Sequence, residues 1–509
     1  MKRVTDLAPV GATTIVMAWS AAVCMLLAGG CAGAKRDERT PAVATLRIGF
    51  GLATGATTAI GIQQAARNIA LEGLVSVGRD GRTTASLAES WTPTPDRLAW
   101  RIHLRKPLSF HDGTPVHAEV IREILKGQLP QVLGTAIEDV ADIKTLSDHD
   151  LELTLRRAST FPMERLDVAV IQKPEPETDP ASPATKPIPI GTGPFAIVRQ
   201  EGNEIEMRAN DSYYAGRPFI DRVIIRPYQS VRAAWADLLR GEVDMVYDVG
   251  VDALASLEAS KEIRTFTFQR AYEFLVLLNT RKPYLADPSI RRALNEAIDR
   301  EALVRDAFRG HATPAEGPVW PRHWAHSADL PRFGFRPKPL PAHVRLRLKC
   351  LFVDQSHERL ALMIQQQLRP IGVDLDLESV ATAEEVTARL EKGDFDAFLA
   401  DFLQGPNLAR PYLYWHSGGP NNYGRYSNKQ VDAALDSIRH SSDDNGYRAG
   451  VAAFQRAMVD DPPAVFIAWR ERARAVSTRF AVPEDPDTDV LRSIHRWRPV
   501  AAATQAGQH

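Results

Sequence analysis

Asp401 is the residue whose type and position most invite chemistry. It stands near the end of Phe395 to Phe402, a short apolar run that reads as a buried strand. Ligands of open α/β sheets bind at the carboxyl ends of strands. A carboxylate in a closed, dry cleft strongly prefers a cationic partner. That partner is either a ligand's cation or a protein arginine such as Arg410, unless Asp401 merely caps the strand end. Tyr412, Tyr414, Trp415 and His416 follow it as an aromatic cluster. Aromatic planes with polar edges suit a pocket for an amphipathic solute, and equally suit the packing of a core. A lone histidine such as His416 is more often structural than a metal ligand, so no metal is expected.

Catalytic signatures are missing. His111-Asp112-Gly113-Thr114-Pro115 has the residues of a turn entering a helix rather than of a catalytic pair. The chain contains no Gly-x-Ser-x-Gly, no His-Glu-x-x-His, no phosphate loop and no Cys-x-x-Cys. Gly191-Thr192-Gly193-Pro194 lacks the donor a phosphate cradle needs, because Pro194 has no backbone N–H. No enzyme activity and no cofactor are expected.

Composition narrows the class further. The 509 residues are 44% hydrophobic and 25% charged, which suits a soluble globular protein of about three ordinary domain lengths. A net charge of -1 gives no electrostatic case for binding nucleic acid.

The N-terminus reads as a targeting segment. Lys2 and Arg3 precede the apolar run Ile15 to Leu27, which is too short to span a bilayer comfortably. Leu26-Leu27-Ala28-Gly29-Gly30-Cys31 then resembles a bacterial lipoprotein signal with Cys31 as the lipidated residue. The competing site is ordinary cleavage after Ala32-Gly33-Ala34; either cleavage implies export. Residues 1–31 are thus the signal, and residues 32–43 a polar tether. Cys350 is the only thiol expected in the folded body, so no internal disulfide framework is possible there.

Periodicity outlines the elements. Leu46, Ile48 and Phe50 alternate, as do Leu98, Trp100, Ile102 and Leu104, and Leu151, Leu153 and Leu155. Residues 173–189 are crowded with Pro, Thr and Ser and predict a loop. Asp287-Pro288 opens a helix whose apolar face is Ile290, Ala293, Leu294, Ala297 and Ile298. Thr382 and Glu385 fit a capping box. Gly241 and Gly393 each end a helical stretch before a strand, suggesting two α/β lobes.

Several phrases recur in one order along the chain: Leu71-Glu72-Gly73-Leu74, Leu87-Ala88-Glu89-Ser90-Trp91, Leu104-Arg105-Lys106-Pro107, Phe110-His111-Asp112-Gly113-Thr114-Pro115, Gly191-Thr192-Gly193-Pro194-Phe195 and Arg292-Ala293-Leu294-Asn295-Glu296-Ala297-Ile298-Asp299-Arg300. Together they resemble the extracytoplasmic solute-binding proteins of ABC importers, family 5, the class that binds peptides and nickel chelates. The resemblance spans roughly residues 45–475.

The resemblance implies an α/β, two-lobed periplasmic-binding-protein fold of class II, cluster C type, hinged by two crossovers. Lobe I is expected at 44–271, with a reduced small subdomain at about 105–190; lobe II at 272–470; and a return to lobe I at 471–509. Pro-rich 331–342 stands where the family usually has a helix. The implied function is capture of an oligopeptide between the lobes and delivery to an ABC permease and ATPase, by a monomer tethered through lipid outside the cell membrane or in the periplasm. Ala400-Asp401-Phe402 matches the segment whose aspartate pairs with the peptide amine in relatives. Tyr272, Phe274, Trp320, Tyr414, Trp415, His416 and Asn422 are the other candidate ligand contacts; Asn422 also fits a turn before the helix cap at Ser427 or Asn428. Other solutes, such as a nickel chelate or a sugar, a sensory role and an exported hydrolase are the alternatives.

Overall fold

The computed structural model describes residues 43–51, 55–174, 188–341, 344–353, 355–483 and 489–500. The signal, Cys31, the tether up to residue 42 and residues 175–187 of the Pro-rich stretch lie outside the described residues.

Alternation produces the strands. In Thr45–Gly51 the side chains of Leu46, Ile48 and Phe50 are buried, and this strand pairs in parallel with Arg222–Tyr228 and Met245–Val246. Helix ends follow local chemistry. Asp287 and Thr382 accept hydrogen bonds from Ser289 N and Glu385 N at two helix starts. Gly241 and Gly393 end helices in the left-handed conformation, at φ 75° and 72°, which a side chain would resist.

Two lobes share one sheet. Its strand order runs from Val373–Ser379, Leu346–Phe352 and Ala397–Leu403 in lobe II, through Ile263–Leu278 and Ala464–Ser477, to Met245–Val246, Thr45–Gly51, Arg222–Tyr228, Glu204–Ala209 and Phe195–Glu201 in lobe I. The two middle strands are the crossovers, paired antiparallel from Ile263 opposite Ser477 to Leu277 opposite Ala464. Their register slips between Gln269 and Glu273. A slip of this kind bends a strand and raises its twist, so the hinge is a bent two-stranded ribbon rather than a pair of loops.

Lobe I carries a separate antiparallel sheet of Ala88–Pro93, Ala99–Leu104, Asp150–Leu155 and Val140–Ser147, backed by the helix Ala118–Leu133. It starts at Ala88, ahead of the expected 105. Leu98 is 38% exposed and not in the strand, because the turn before it puts Arg97 at φ 56° and the strand starts only at Ala99. Residues 331–341 form no helix.

This subdomain packs on lobe II. Leu151, Leu153, Phe161 and Leu166 belong to the same buried apolar cluster as Leu408, Tyr412, Leu435 and Phe454. Phe161 meets Tyr412 edge-on at 5.3 Å. At the centre of the junction Asp139 and Arg439 pair at 2.6 Å, with both side chains essentially inaccessible. Arg439 also donates to Tyr412 Oη at 2.9 Å and to Glu138 at 3.1 Å, and Arg157 donates to Asp139.

Candidate functional site

The crossover strand Ala464–Ser477 contains Arg470-Glu471-Arg472-Ala473-Arg474. Period-two alternation puts the three guanidiniums on one face. Arg472 Nη1 donates to Asp248, which follows the lobe I strand Met245–Val246. Arg472 Nη2 lies 3.7 Å from Asp401, near the end of the lobe II strand Ala397–Leu403. One arginine on the hinge therefore touches a carboxylate from each lobe. The two carboxylates outweigh its burial and hold its pKa above the usual guanidinium value. Arg474 is fully buried, pairs with Asp489 at 2.7 Å and stacks on Tyr247 at 3.8 Å.

Asp401 sits at ion-pair distance from two arginines, 3.5 Å from Arg470 and 3.7 Å from Arg472, both longer than a hydrogen bond. Its side chain is 23% exposed. It lies opposite Phe274 on the neighbouring strand. Tyr272 is half-buried beside it, with the Arg472 guanidinium 5.9 Å from its ring centre. Asp401 and Tyr272, with Arg470, Arg472 and Asp248, therefore form one group where the crossover strand meets a strand end from each lobe.

The remaining expected residues are placed elsewhere. Phe274 is buried against Phe308 and His357 inside lobe II, with Arg470 over its ring. Trp320 packs edge-on against Trp469 and donates to Arg79 O at 2.8 Å. Trp415 is 1% exposed and donates to Gln404 Oε1 at 3.0 Å, in the core rather than on a wall. Tyr414, half-buried, meets Phe402 at 5.5 Å. His416 stacks on Tyr412 and faces Asp436 at 3.7 Å. Asn422 closes a turn, donating to Tyr426 O and accepting from Tyr426 N. The helix cap after it is Asn428. Among the described residues no group of three or more His, Cys, Asp or Glu side chains suits a metal ion.

Sequence reasoning passed over Arg470, Arg472 and Asp248. The alternating arginines were a visible signal, but their carboxylate partners come from distant segments. It also passed over Glu164. Glu164 Oε1 accepts from Tyr447 Oη at 3.0 Å, its Oε2 accepts from Ala409 N at 3.3 Å, and its carbonyl accepts from Asn407 Nδ2 at 2.9 Å. Burial pushes its pKa up to about 7, and the nearby Asp167 charge adds to that; the Tyr447 and Ala409 hydrogen bonds offset part. The folded value lies above the ordinary 4.5, so the folded state holds this proton longer than the unfolded chain does. Stability from this group is present below about pH 4.5 and is lost as pH rises through about 7. Glu164→Gln should flatten that fall. The difference in melting temperature between wild type and variant, followed from about pH 5 to about pH 8, checks it; parallel curves would contradict it. A cavity of about 430 Å³ lies beside Glu164, lined by Trp91, Trp100, Trp324 and Tyr447 among others.

Comparison with known proteins resolves the class. The profile of the bacterial extracellular solute-binding proteins, family 5 (middle), matches residues 82–424, well over half the chain. The chain belongs to this family. Members of family 5 are transport binding proteins of ABC importers rather than enzymes, and work in the periplasm or at the extracytoplasmic face. The family 5 chain is 25% identical over 405 residues to the probable D,D-dipeptide-binding periplasmic protein DdpA of Escherichia coli (strain K12), covering 75% of this chain and 78% of that one. It is 23% identical over 464 residues to the oligopeptide-binding protein AppA of Bacillus subtilis (strain 168), covering 81% and 83%. Among solved structures, NikZ from Campylobacter jejuni in complex with Ni(L-His) superposes with a TM-score of 0.75 at 20% identity, covering 89% of this chain and 99% of that one. AppA from Bacillus subtilis in complex with a nonapeptide gives 0.71 at 21%, covering 90% and 99%. These likenesses show the two-lobed fold of this family 5 protein; they leave its solute open.

Proposed function

We propose that this protein binds an oligopeptide between its lobes and hands it to an ABC permease and ATPase. In this reading Asp401 takes the amino terminus of the peptide and Tyr272 forms part of the wall. The observation that carries the reading is the position of Asp401, at the carboxyl end of a lobe II strand, partly exposed and shared by Arg472 with Asp248 of lobe I. A cation entering there meets a carboxylate held at longer than hydrogen-bond distance, so it gains short bonds without first breaking any at Asp401. Closure is favoured only by the extra affinity of the solute for the closed form, and contacts drawn from both lobes supply that difference. DdpA and AppA, named for peptides, support the substrate class. Calorimetry with a peptide panel tests the reading. Micromolar binding, worth about 8 kcal/mol, of peptides with a free amine is expected. Tight binding of only non-peptide solutes would replace it.

The lipid anchor belongs to the same proposal. Gly29-Gly30-Cys31 after the apolar run Ile15 to Leu27 supports lipidation at Cys31. Cys31→Ala should release the protein from the membrane fraction. A variant that still fractionates with membranes, with a wild-type terminus mapped at Lys35, would refute it.

A further inference from the structure

The cavity of about 430 Å³ beside Glu164 lies where the small subdomain meets lobe II. Its volume falls within the roughly 300–1,000 Å³ of small-molecule sites. Trp91, Trp100, Trp324 and Tyr447 give it aromatic walls. Strand pairing sets the first two. Trp91 lies opposite Ile102, and Pro93 opposite Trp100, on paired antiparallel strands. Residues directly opposite share a face, and so do residues two apart, so both indoles stand on one face of the subdomain sheet.

The other walls are fixed by their own bonds. Trp324 N–H donates to Asp80 O at 2.9 Å, and the Arg82 guanidinium lies 4.0 Å over the Trp324 ring. Tyr447 meets Trp324 at 5.0 Å and donates its hydroxyl to Glu164 at 3.0 Å. Asp443 caps the helix Asp444–Asp460, accepting from Gly446 N at 2.8 Å. The buried Asp139–Arg439 pair already joins the subdomain to lobe II, so the cavity forms without any movement of the hinge.

The full charges of its lining balance. Arg82 pairs with Asp444 at 2.6 Å, both about half exposed, and Arg97 and Asp443 are the other two. Glu164, whose pKa sits near 7, adds a partial negative charge, and Arg448, 5.1 Å from the Trp324 ring, a positive one. An ion entering this balanced set gains little net attraction. A neutral molecule with hydroxyls can donate to the carboxylates and accept from the guanidiniums at once. Aromatic planes take apolar surface against them. Hydroxyls around the rim and C–H groups on the faces are the surface of a pyranose ring.

We infer that this cavity is a second binding site, for a neutral saccharide, with the sugar face on the indoles and its hydroxyls between Arg82, Arg97, Asp443 and Asp444. Asp401, Tyr272, Arg470, Arg472 and Asp248 do not line it, so the saccharide is a separate ligand from the transported solute. Family members work outside the cytoplasm, where this chemistry comes either as a free sugar or as a glycan chain of the envelope.

The test uses the full mature protein as wild type, Arg82→Gln, Asp444→Asn, Trp91→Leu and Asp401→Asn. The probes are glucose, N-acetylglucosamine, cellobiose, isolated peptidoglycan and tetramethylammonium. Calorimetry and tryptophan fluorescence read the soluble probes, and co-sedimentation reads the polymer. At least one saccharide probe should bind wild type, a soluble one with a Kd of about 1 mM or tighter. Arg82→Gln and Asp444→Asn should each weaken it at least about tenfold, as expected for losing a hydrogen bond to a charged group. Trp91→Leu should weaken it by as much. Arg82 and Asp444 form an exposed pair, so their variants should melt close to wild type. Asp401→Asn should leave saccharide affinity unchanged. Retention of the polymer alone would assign a glycan chain, and binding of the small sugars a free saccharide; either supports the inference. No saccharide bound, or binding untouched by Arg82→Gln and Asp444→Asn, overturns it. Tetramethylammonium bound in place of the sugars, and lost in Asp444→Asn, would assign a cation cage and overturn it. A sugar lost only in Asp401→Asn would be the transported solute, which overturns this inference and the oligopeptide reading together.

Discussion

Asp401→Asn is expected to weaken binding of a free-amine peptide at least about thirtyfold, because truncating one partner of a buried, hydrogen-bonded charge pair costs about 2–5 kcal/mol. The surroundings push the effect upward. Arg470 and Arg472 stand 3.5 and 3.7 Å from the Asp401 carboxylate. Once that charge is gone, an incoming ammonium meets two guanidiniums with less carboxylate to offset them. Stability should change much less, because Arg472 keeps Asp248. Acetylating the peptide amine should cost wild type as much as the substitution does, and cost the variant little. Equal losses from acetylation in both proteins would show that the amine and Asp401 do not meet.

Arg439→Met should destabilise the protein by about 3–5 kcal/mol. The variant leaves Asp139 buried, with Arg157, itself half exposed, as its remaining arginine partner among the described residues and His440 at 4.0 Å. It also removes the donor to Tyr412 Oη. The double variant Asp139→Leu/Arg439→Met should regain most of the loss, since an apolar pair avoids burying any charge. Urea unfolding of the three proteins measures both numbers. A single-variant loss below about 1 kcal/mol is the value of a solvent-exposed pair, and would mean that the subdomain is not docked on lobe II in solution.

Much of the architecture was legible because it is local. Alternation marked Thr45–Gly51 and Asp150–Leu155, and Thr382, Asp287, Gly241 and Gly393 marked helix ends. The order of short phrases carried the two-lobed expectation. The site was less legible, for two physical reasons. First, its ion pairs join segments far apart in the chain: Arg472 and Asp248 are 224 residues apart, and Arg439 and Asp139 are 300. No spacing rule reaches that far. Second, strand parity decides which neighbour meets the arginines of the crossover strand. Asp401 and Phe402 are adjacent, yet Asp401 meets the arginines while Phe402 packs toward Tyr414 in the large core. The aromatic residues Trp320 and Trp415 suited a wall or a core equally by type. Only the pairing of Trp320 with Trp469, and of Trp415 with Gln404, places them inside.

One solute gripped by both lobes across the hinge is what this arrangement is built to hold. A crystal structure of the protein purified with its native solute tests it most directly. The expected result is a solute between the lobes, with a cationic group at Asp401 and contacts to lobe I on the facing side. A solute held by one lobe alone, or seated instead in the cavity lined by Trp91, Trp100 and Trp324, would contradict it.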